Sequence, residues 1–237
     1  MIAFDIGALL RANPYPGRGI VLGRSGDGGR AVLLYFIMGR SANSRNRVFE
    51  RTDDGIRTAA FDPDKMVDPS LVIYAPVRVC NGVTIVTNGD QTDTIRDFLA
   101  SGRTFRDALI TREFEPDAPN FTPRISGIIG KDGIYSLSIL KTSGGDPSCC
   151  VRCFYEYSAA TPGMGRFIST YIGDGDPLPS FEGDPIPVNI SVDDSLEKFA
   201  NNVWSAMNDE NKVSLYAREI AIKTGESFDL IINKNRT

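Results

Sequence analysis

Three arginines and two asparagines crowd the nine residues that follow the apolar run Tyr35, Phe36, Ile37, Met38 in the stretch YFIMGRSANSRNRVFE (35–50). Arg40, Arg45 and Arg47 are interleaved with Ser41, Asn43, Ser44 and Asn46. Each guanidinium offers a planar fork of donors to paired oxygens, so two or three converging with amide and hydroxyl donors suit a phosphate dianion. The competing reading is a solvated turn whose arginines pair with Asp53, Asp54 or Glu50, an arrangement worth little energetically. A second cluster, TNGDQTDTI (87–95), sets Asn88, Asp90, Gln91, Thr92 and Asp93 between a strand and a helix start. Exposed backbone N–H groups there favour anions and short polar side chains can read sugar hydroxyls. The same residue types are also ordinary helix caps. NFTPRIS brings Arg124 to the head of a strand, and GRFISTYIGDGD brings Arg166, Thr170 and Tyr171.

The 237 residues include no histidine. Ser-His-Asp and Cys-His arrangements, histidine bases and histidine-ligated metals are therefore excluded. Chemistry falls to Arg, Lys, Tyr, carboxylates, Cys, Ser, Thr or the backbone. Three of the four cysteines, Cys149, Cys150 and Cys153, lie in CCVRC, and Cys80 is distant in sequence. Zinc normally takes four ligands, and neighbours on a strand face opposite sides, so the C-x-x-C is an incomplete chelate. No metal and no cofactor is expected, and the thiols read as reduced and half-buried.

With 41% apolar and 24% charged residues, the chain can bury one sizeable core. Its 26 Lys+Arg against 30 Asp+Glu leave a net charge of -4, so neither nucleic acid nor an anionic membrane is an expected partner. Any anion is held locally. No apolar run reaches the roughly 18 residues that span a bilayer, and Asp5 stands where a secretory signal would be basic. A cytoplasmic protein is expected.

Periodicity supplies the elements that must position the polar clusters. After NPYPGRG, the segment 19–23 and the run AVLLYFIM read as strands joined by RSGDGGR. That loop lacks the G-x-G-x-x-G spacing and precedes no helix, so it reads as a hairpin. RVFERT, GIRTAAF, LVIYAPVRV and VTIVTN add strands rich in β-branched or aromatic residues. NGDQTDTIRDFLASG reads as a helix capped by Asp90 or Thr92, with an Ile95, Phe98, Leu99 stripe and a stop at Gly102. TFRDALITREF continues as a second short helix. Strand patterns return in RISGIIG, GIYSLSILK, VRCFYEYS and RFISTYIG, and a Pro-rich loop covers 174–187. In DSLEKFANNVWSAMND, Leu196, Phe199, Ala200, Val203, Trp204 and Met207 share one helical face behind an Asp194 or Ser195 cap. The tail VSLYAREIAIKTGESFDLIINK reads as a hairpin turning at TGE, with a helix over LYAREIAIK as the alternative. This order implies an α+β protein, a single domain over 1–237, most simply two mainly antiparallel sheets packed together with helices outside.

The succession YPGRGIVLG, YFIMGRSANSRNRVF, IYAPVRV leading to IVTNGDQTDTI, then TPRI, then RFISTY, resembles the IMP cyclohydrolase family of the archaeal type over residues 15–175. The resemblance implies an Ntn-hydrolase-like fold, a four-layer αββα sandwich, and closure of 5-formamidoimidazole-4-carboxamide ribotide to inosine monophosphate (IMP) with loss of water. It implies a purine ribonucleotide as the partner and no cofactor; a homo-oligomer stays open. By matched positions, Arg40 and Arg47 with Ser41 and Asn46 contact the substrate at its phosphate or carboxamide, and Asn88, Asp90, Thr92, Asp93 and Tyr171 complete recognition. Tyr74 is the candidate proton donor in the field of Arg40 and Arg124, although a core tyrosine with a satisfied hydroxyl is the alternative. Arg124 is the candidate for charge on the formyl oxygen, and Glu115 and Glu156 are unranked acid/base carboxylates. The family's turn usually reads Ser-His where this chain has Asp90-Gln91. Rival readings are an amidohydrolase on the same fold, which would need a freshly exposed Cys, Ser or Thr where the chain begins Met1-Ile2, and a nucleotide-binding protein without turnover.

Overall fold

A computed structural model describes residues 2–192 and 195–236. The chain opens with α1 (Ile6–Ala12), where the Asp5 carboxylate accepts the Ala8 N–H at 2.6 Å. Periodicity does not predict this helix, because seven residues offer only the buried Ile6 and Leu10 as a stripe. β1 (Arg18–Arg24) and β2 (Arg30–Met38) form the expected hairpin, followed by the single turn α2 (Ala42–Arg45) and by β3 (Arg47–Thr52) and β4 (Gly55–Ala60). LVIYAPVRV is largely not a strand. Only β5 (Val77–Cys80) pairs, because Pro76 interrupts the donors and the Tyr74 N–H goes to Thr58 Oγ1 at 2.8 Å instead of a ladder. β6 (Val83–Thr87) leads into α3 (Gln91–Ala100) and α4 (Phe105–Leu109), the latter closed by a reciprocal Thr104–Asp107 capping box.

Three consecutive strands follow, β7 (Arg124–Gly130), β8 (Tyr135–Ser143) and β9 (Asp146–Tyr157), and then β10 (Met164–Ser169). The Pro-rich loop ends earlier than expected, at β11 (Ile186–Asn189). α5 (Leu196–Ala206) is capped by Ser195, whose hydroxyl accepts the Lys198 N–H at 3.0 Å; Asp194 lies outside the described residues. The tail is the hairpin of β12 (Lys212–Ala221) and β13 (Ser227–Asn233). β12 mimics a helical stripe because it is buried on both faces: Leu215 and Ala217 enter one apolar cluster, Tyr216 and Ile220 another.

The result is a mixed α/β protein of two large sheets and few helices. One sheet has the order β11-β10-β1-β2-β12-β13, the other β3-β4-β5-β6-β7-β8-β9, and the pairs between neighbouring strands are antiparallel. Alternate side chains of β1 and β2 decide the layering. Ile20, Leu22, Leu33, Tyr35 and Ile37 meet Phe49, Val77, Val86, Ile125 and Ile139 of the other sheet. Val21, Val32, Leu34 and Phe36 meet Ile6 and Leu10 of α1 and Leu196, Phe199 and Val203 of α5. Ile85 and Leu140 form a third cluster with Ile95 of α3 and Phe105 and Leu109 of α4. Each layer removes large aliphatic area from water, at about 25 cal/mol per Å². Among the described residues no helix is long and apolar enough to cross a membrane.

Candidate active site

Strand ends decide which polar side chains meet. Arg18 opens β1, Arg47 opens β3 and Arg124 opens β7, while Asn88 follows β6 and Tyr171 lies two residues past β10. Antiparallel pairing brings these ends to one edge: Arg18 stands opposite Ile37, Gly19 opposite Ser169, and Thr87 opposite Ser126. Gly17 sets the entry to β1. Its φ of +74° is left-handed, and a side chain there would collide with Thr170 Oγ1 and the Tyr171 ring. Thr170 then bonds Arg18 in both directions, accepting its N–H at 3.1 Å and donating its own to the Arg18 carbonyl at 3.0 Å.

Three buried guanidiniums result, and two of them keep a free donor. Arg47 is fully buried, with Nε donating to the Ser44 carbonyl at 2.7 Å and Nη2 reaching the Met38 carbonyl at 3.4 Å. Its Nη1 and the Nε of Arg18 have no hydrogen-bond partner. Burial, then repulsion from Arg18, lowers the Arg47 pKa. Burial opposes the charge on Arg18 as well, but Glu115 and then Tyr15, Tyr74 and Tyr171 more than offset it and hold it a cation. Unmade donors on buried charges are costly, and these two are free to receive an acceptor.

Phenols and one carboxyl face these cations. The Tyr74 hydroxyl, on the 61–76 connection, lies 2.9 Å from that of Tyr35 on β2. Burial first, and Tyr74 second, pushes the Tyr35 phenol well above its ordinary value. Glu115 is 2% exposed. Burial pushes its carboxyl up to about 7, against the pull of Arg18 and Arg124 and with the help of Asp117. A carboxyl poised near neutrality can give or take a proton, which the ordinary Glu of a surface cannot.

The turn between β6 and α3 builds the adjoining wall. Arg124 Nη1 donates to Gln91 Oε1 at 2.7 Å and pairs with Asp90 Oδ1 at 2.7 Å. Gln91 Nε2 donates to Asn88 Oδ1 at 3.0 Å, and Asn88 Nδ2 donates to the Pro123 carbonyl at 2.9 Å. Burial opposes the charge of Asp90, but Arg112, at 2.5 Å, and Arg124 hold its carboxyl below the usual carboxylate range. Gly89 leaves room for this packing: a Cβ there would stand 2.5 Å from Arg124 Nη1, 2.6 Å from Gln91 Oε1 and 3.3 Å from Glu115 Oε1.

Comparison with known proteins bears on what this constellation serves. The family model of IMP cyclohydrolase-like proteins matches residues 15–225. This chain belongs to the IMP cyclohydrolase-like family. The match runs past the 15–175 covered by the motifs. Relatives include an IMP cyclohydrolase of Methanococcus maripaludis strain C7, 36% identical over 126 residues, 51% of this chain and 61% of that protein. Another is the IMP cyclohydrolase of Methanosphaera stadtmanae, 29% identical over 161 residues, 66% of this chain and 73% of that protein. That of Methanopyrus kandleri is 28% identical over 184 residues, 71% and 89% of the two chains. The chain thus spans about three fifths of the Methanococcus protein.

Within this family member, the motif residues divide by place. Arg47, Tyr74, Arg124 and Tyr171 share the surroundings of Arg18 and Glu115. Arg40 lies outside Tyr15, its guanidinium 5.2 Å from that ring, and pairs with Asp174 at 2.7 Å. Ser41 caps α2, and Asn46 brackets the Asp62 backbone, donating to its carbonyl at 2.7 Å and accepting its N–H at 2.8 Å. Asn88 and Thr92 are buried within the turn, Thr92 Oγ1 lying 2.6 Å from Thr87 Oγ1. Asp93 pairs with Arg78 and Arg96, and Glu156 is exposed on β9 opposite Ser136. Arg18 and Tyr35 are the residues that motif reading passes over. Both stand in quoted stretches, but an arginine after Gly17 reads as turn surface and Tyr35 as core.

Proposed function

We propose that this buried constellation closes 5-formamidoimidazole-4-carboxamide ribotide to IMP, the final step of purine synthesis. The single observation that carries the reading is the pair of orphaned donors, Arg18 Nε and Arg47 Nη1, buried beside Glu115 and the Tyr35–Tyr74 pair. The family match and the names of the archaeal relatives support the substrate class. The clusters of apolar residues between the sheets and on both outer faces support an αββα sandwich of the Ntn-hydrolase-like kind.

The reaction asks little of bond-making groups and much of positioning. A carboxamide nitrogen is a feeble nucleophile, its lone pair delocalised into the carbonyl, and the formamide carbon is only mildly electrophilic. Both sit on one imidazole ring, so holding the rotamer in which they face each other supplies part of the roughly 7 to 11 kcal/mol available to an intramolecular step. As the C–N bond forms, the carboxamide nitrogen loses a proton and the formyl oxygen gains one; the resulting hydroxyl then takes a proton and leaves as water, while the former formamide nitrogen gives up its own proton to complete the pyrimidinone ring. Glu115, poised near pH 7, takes the nitrogen proton. Tyr74 gives the proton to the formyl oxygen, and the guanidiniums steady the charge that develops there. Arg47 and Arg18, beside Glu115 and Tyr74, offer their free donors to the oxygens of the ribotide.

The test is direct. Pure protein mixed with the formamido ribotide should produce IMP, followed by ultraviolet absorbance, and Glu115→Gln should not. Binding of IMP without turnover of the ribotide would reduce the protein to a nucleotide-binding role.

A further inference from the structure

Tyr171, Thr122 and Asp117 form a chain of hydrogen bonds whose direction can be assigned from chemistry alone. The Asp117 carboxylate is an acceptor only. Its Oδ2 lies 2.5 Å from Thr122 Oγ1, and its Oδ1 takes the Thr122 N–H at 2.6 Å. The one hydroxyl proton of Thr122 therefore points at Asp117. Thr122 Oγ1 also lies 2.6 Å from the Tyr171 hydroxyl. With its proton already committed, Thr122 can only accept there, so the single proton of the Tyr171 phenol points away from the site and into the chain. Burial pushes that phenol up to about 12, so the proton stays on it at neutral pH.

Tyr171 is 1% exposed, stacks on Tyr15 with ring centroids 6.0 Å apart, and lies within the field of Arg18. Thr122 is also tied to the base candidate, because its carbonyl accepts the Glu115 N–H at 2.9 Å. We propose that Asp117, acting through Thr122, makes Tyr171 a hydrogen-bond acceptor and never a donor toward the ligand, so that this wall selects a neutral donor, a ribose hydroxyl or amide N–H, and rejects an anionic oxygen. Asp117 and Thr122 are positioning residues in this scheme. The inference rests on the pocket being the nucleotide site, and it adds a polarity that neither the motifs nor the family match contains.

Calorimetry with IMP tests it through Thr122→Val, Thr122→Ser and Tyr171→Phe. Valine keeps the shape but cannot accept, which frees the phenol proton to turn toward the ligand. Thr122→Val and Tyr171→Phe should each weaken IMP by about fivefold or more, the scale of one hydrogen bond, and the double variant should be no worse than either alone. Thr122→Ser, which keeps the hydroxyl, should bind within about twofold of the unaltered chain. Should Thr122→Val fail to fold, Tyr171→Phe and Thr122→Ser carry the test, because the phenylalanine ring still packs on Tyr15. IMP binding that survives Tyr171→Phe, or that falls as far in Thr122→Ser as in Thr122→Val, overturns the polarity alone. An unaltered chain that binds no IMP overturns the reading of the pocket and the polarity with it.

Discussion

The Tyr35 and Tyr74 hydroxyls lie 2.9 Å apart, one fixed in a central strand and the other carried on the 61–76 connection, where the Tyr74 N–H goes to Thr58 Oγ1. Tyr35 is fully buried and its phenol is held well above its ordinary value by burial. Either hydroxyl can be the donor in this contact, and the bond orients Tyr74. Tyr74→Phe should lower turnover by about 10²-fold, the scale of one general acid, with IMP affinity little changed because the ring still packs. Tyr35→Phe should cost no more than about tenfold, the loss of one orienting bond. Steady-state rates for both variants decide the matter: equal turnover in Tyr74→Phe and the unaltered chain would move the acid role elsewhere.

Glu115 sets a pH dependence with a defined sign. In its proposed role as base it must be ionised, so kcat/KM should fall as pH drops below about 7, where burial has placed its carboxyl. Stability should move the other way. The folded value of about 7 exceeds the ordinary 4.5, so the folded chain binds this proton more tightly than the unfolded one. That contribution is whole below pH 4.5 and is lost as pH rises through about 7, an amount of order 3 kcal/mol at about 1.4 kcal/mol per unit. Melting temperatures at pH 5 and pH 8 should show a smaller drop in Glu115→Gln than in the unaltered chain.

Arg47 and Arg40 should separate cleanly. Arg47→Met removes a fully buried cation with an unmade donor, so the ligand-free protein should melt within a few degrees of the unaltered chain while IMP affinity falls about 10- to 100-fold. The Arg40 side chain is 37% exposed and pairs with Asp174. Surface pairs are worth at most about 1 kcal/mol, so Arg40→Ala should change affinity by no more than about fivefold. Calorimetry on both variants checks the order; a larger loss from Arg40 would place it in direct contact with ligand.

Gln91 and Gly89 hold Arg124 by different means. Gln91 accepts from Arg124 and donates to Asn88, and a neutral histidine, with one acceptor and one donor nitrogen, can do the same. Gln91→His should retain most activity, whereas Gln91→Leu should leave the guanidinium to Asp90 alone and cost about tenfold in kcat/KM, by loss of a charged hydrogen bond. Gly89→Ala forces a methyl to 2.5 Å from Arg124 Nη1 and should lower turnover more than it lowers melting temperature. Kinetics paired with thermal melting separates the two effects.

Strand composition, the Gly102 stop and the stripe of α5 were legible because each depends on neighbours within a few residues. The motifs likewise exposed Arg47, Tyr74, Arg124 and Tyr171 as chemically relevant types. Chain order could not show that Arg40, Ser41 and Asn46, interleaved with Arg47, would turn to Asp174, a helix cap and Asp62. Nor did the strand pattern place Tyr74 on a connection: Pro76 stood in the stretch as a break, but the Thr58 bond that takes the Tyr74 N–H is a tertiary fact. By itself the sequence determined the absence of histidine chemistry, the family, and a supply of arginines and phenols at strand ends. Only the tertiary structure decided which of them meet, because Arg18, Arg47 and Glu115 lie on segments far apart in the chain, and burial, which moves the Glu115 carboxyl and strips partners from two guanidiniums, exists only once two sheets have closed over them.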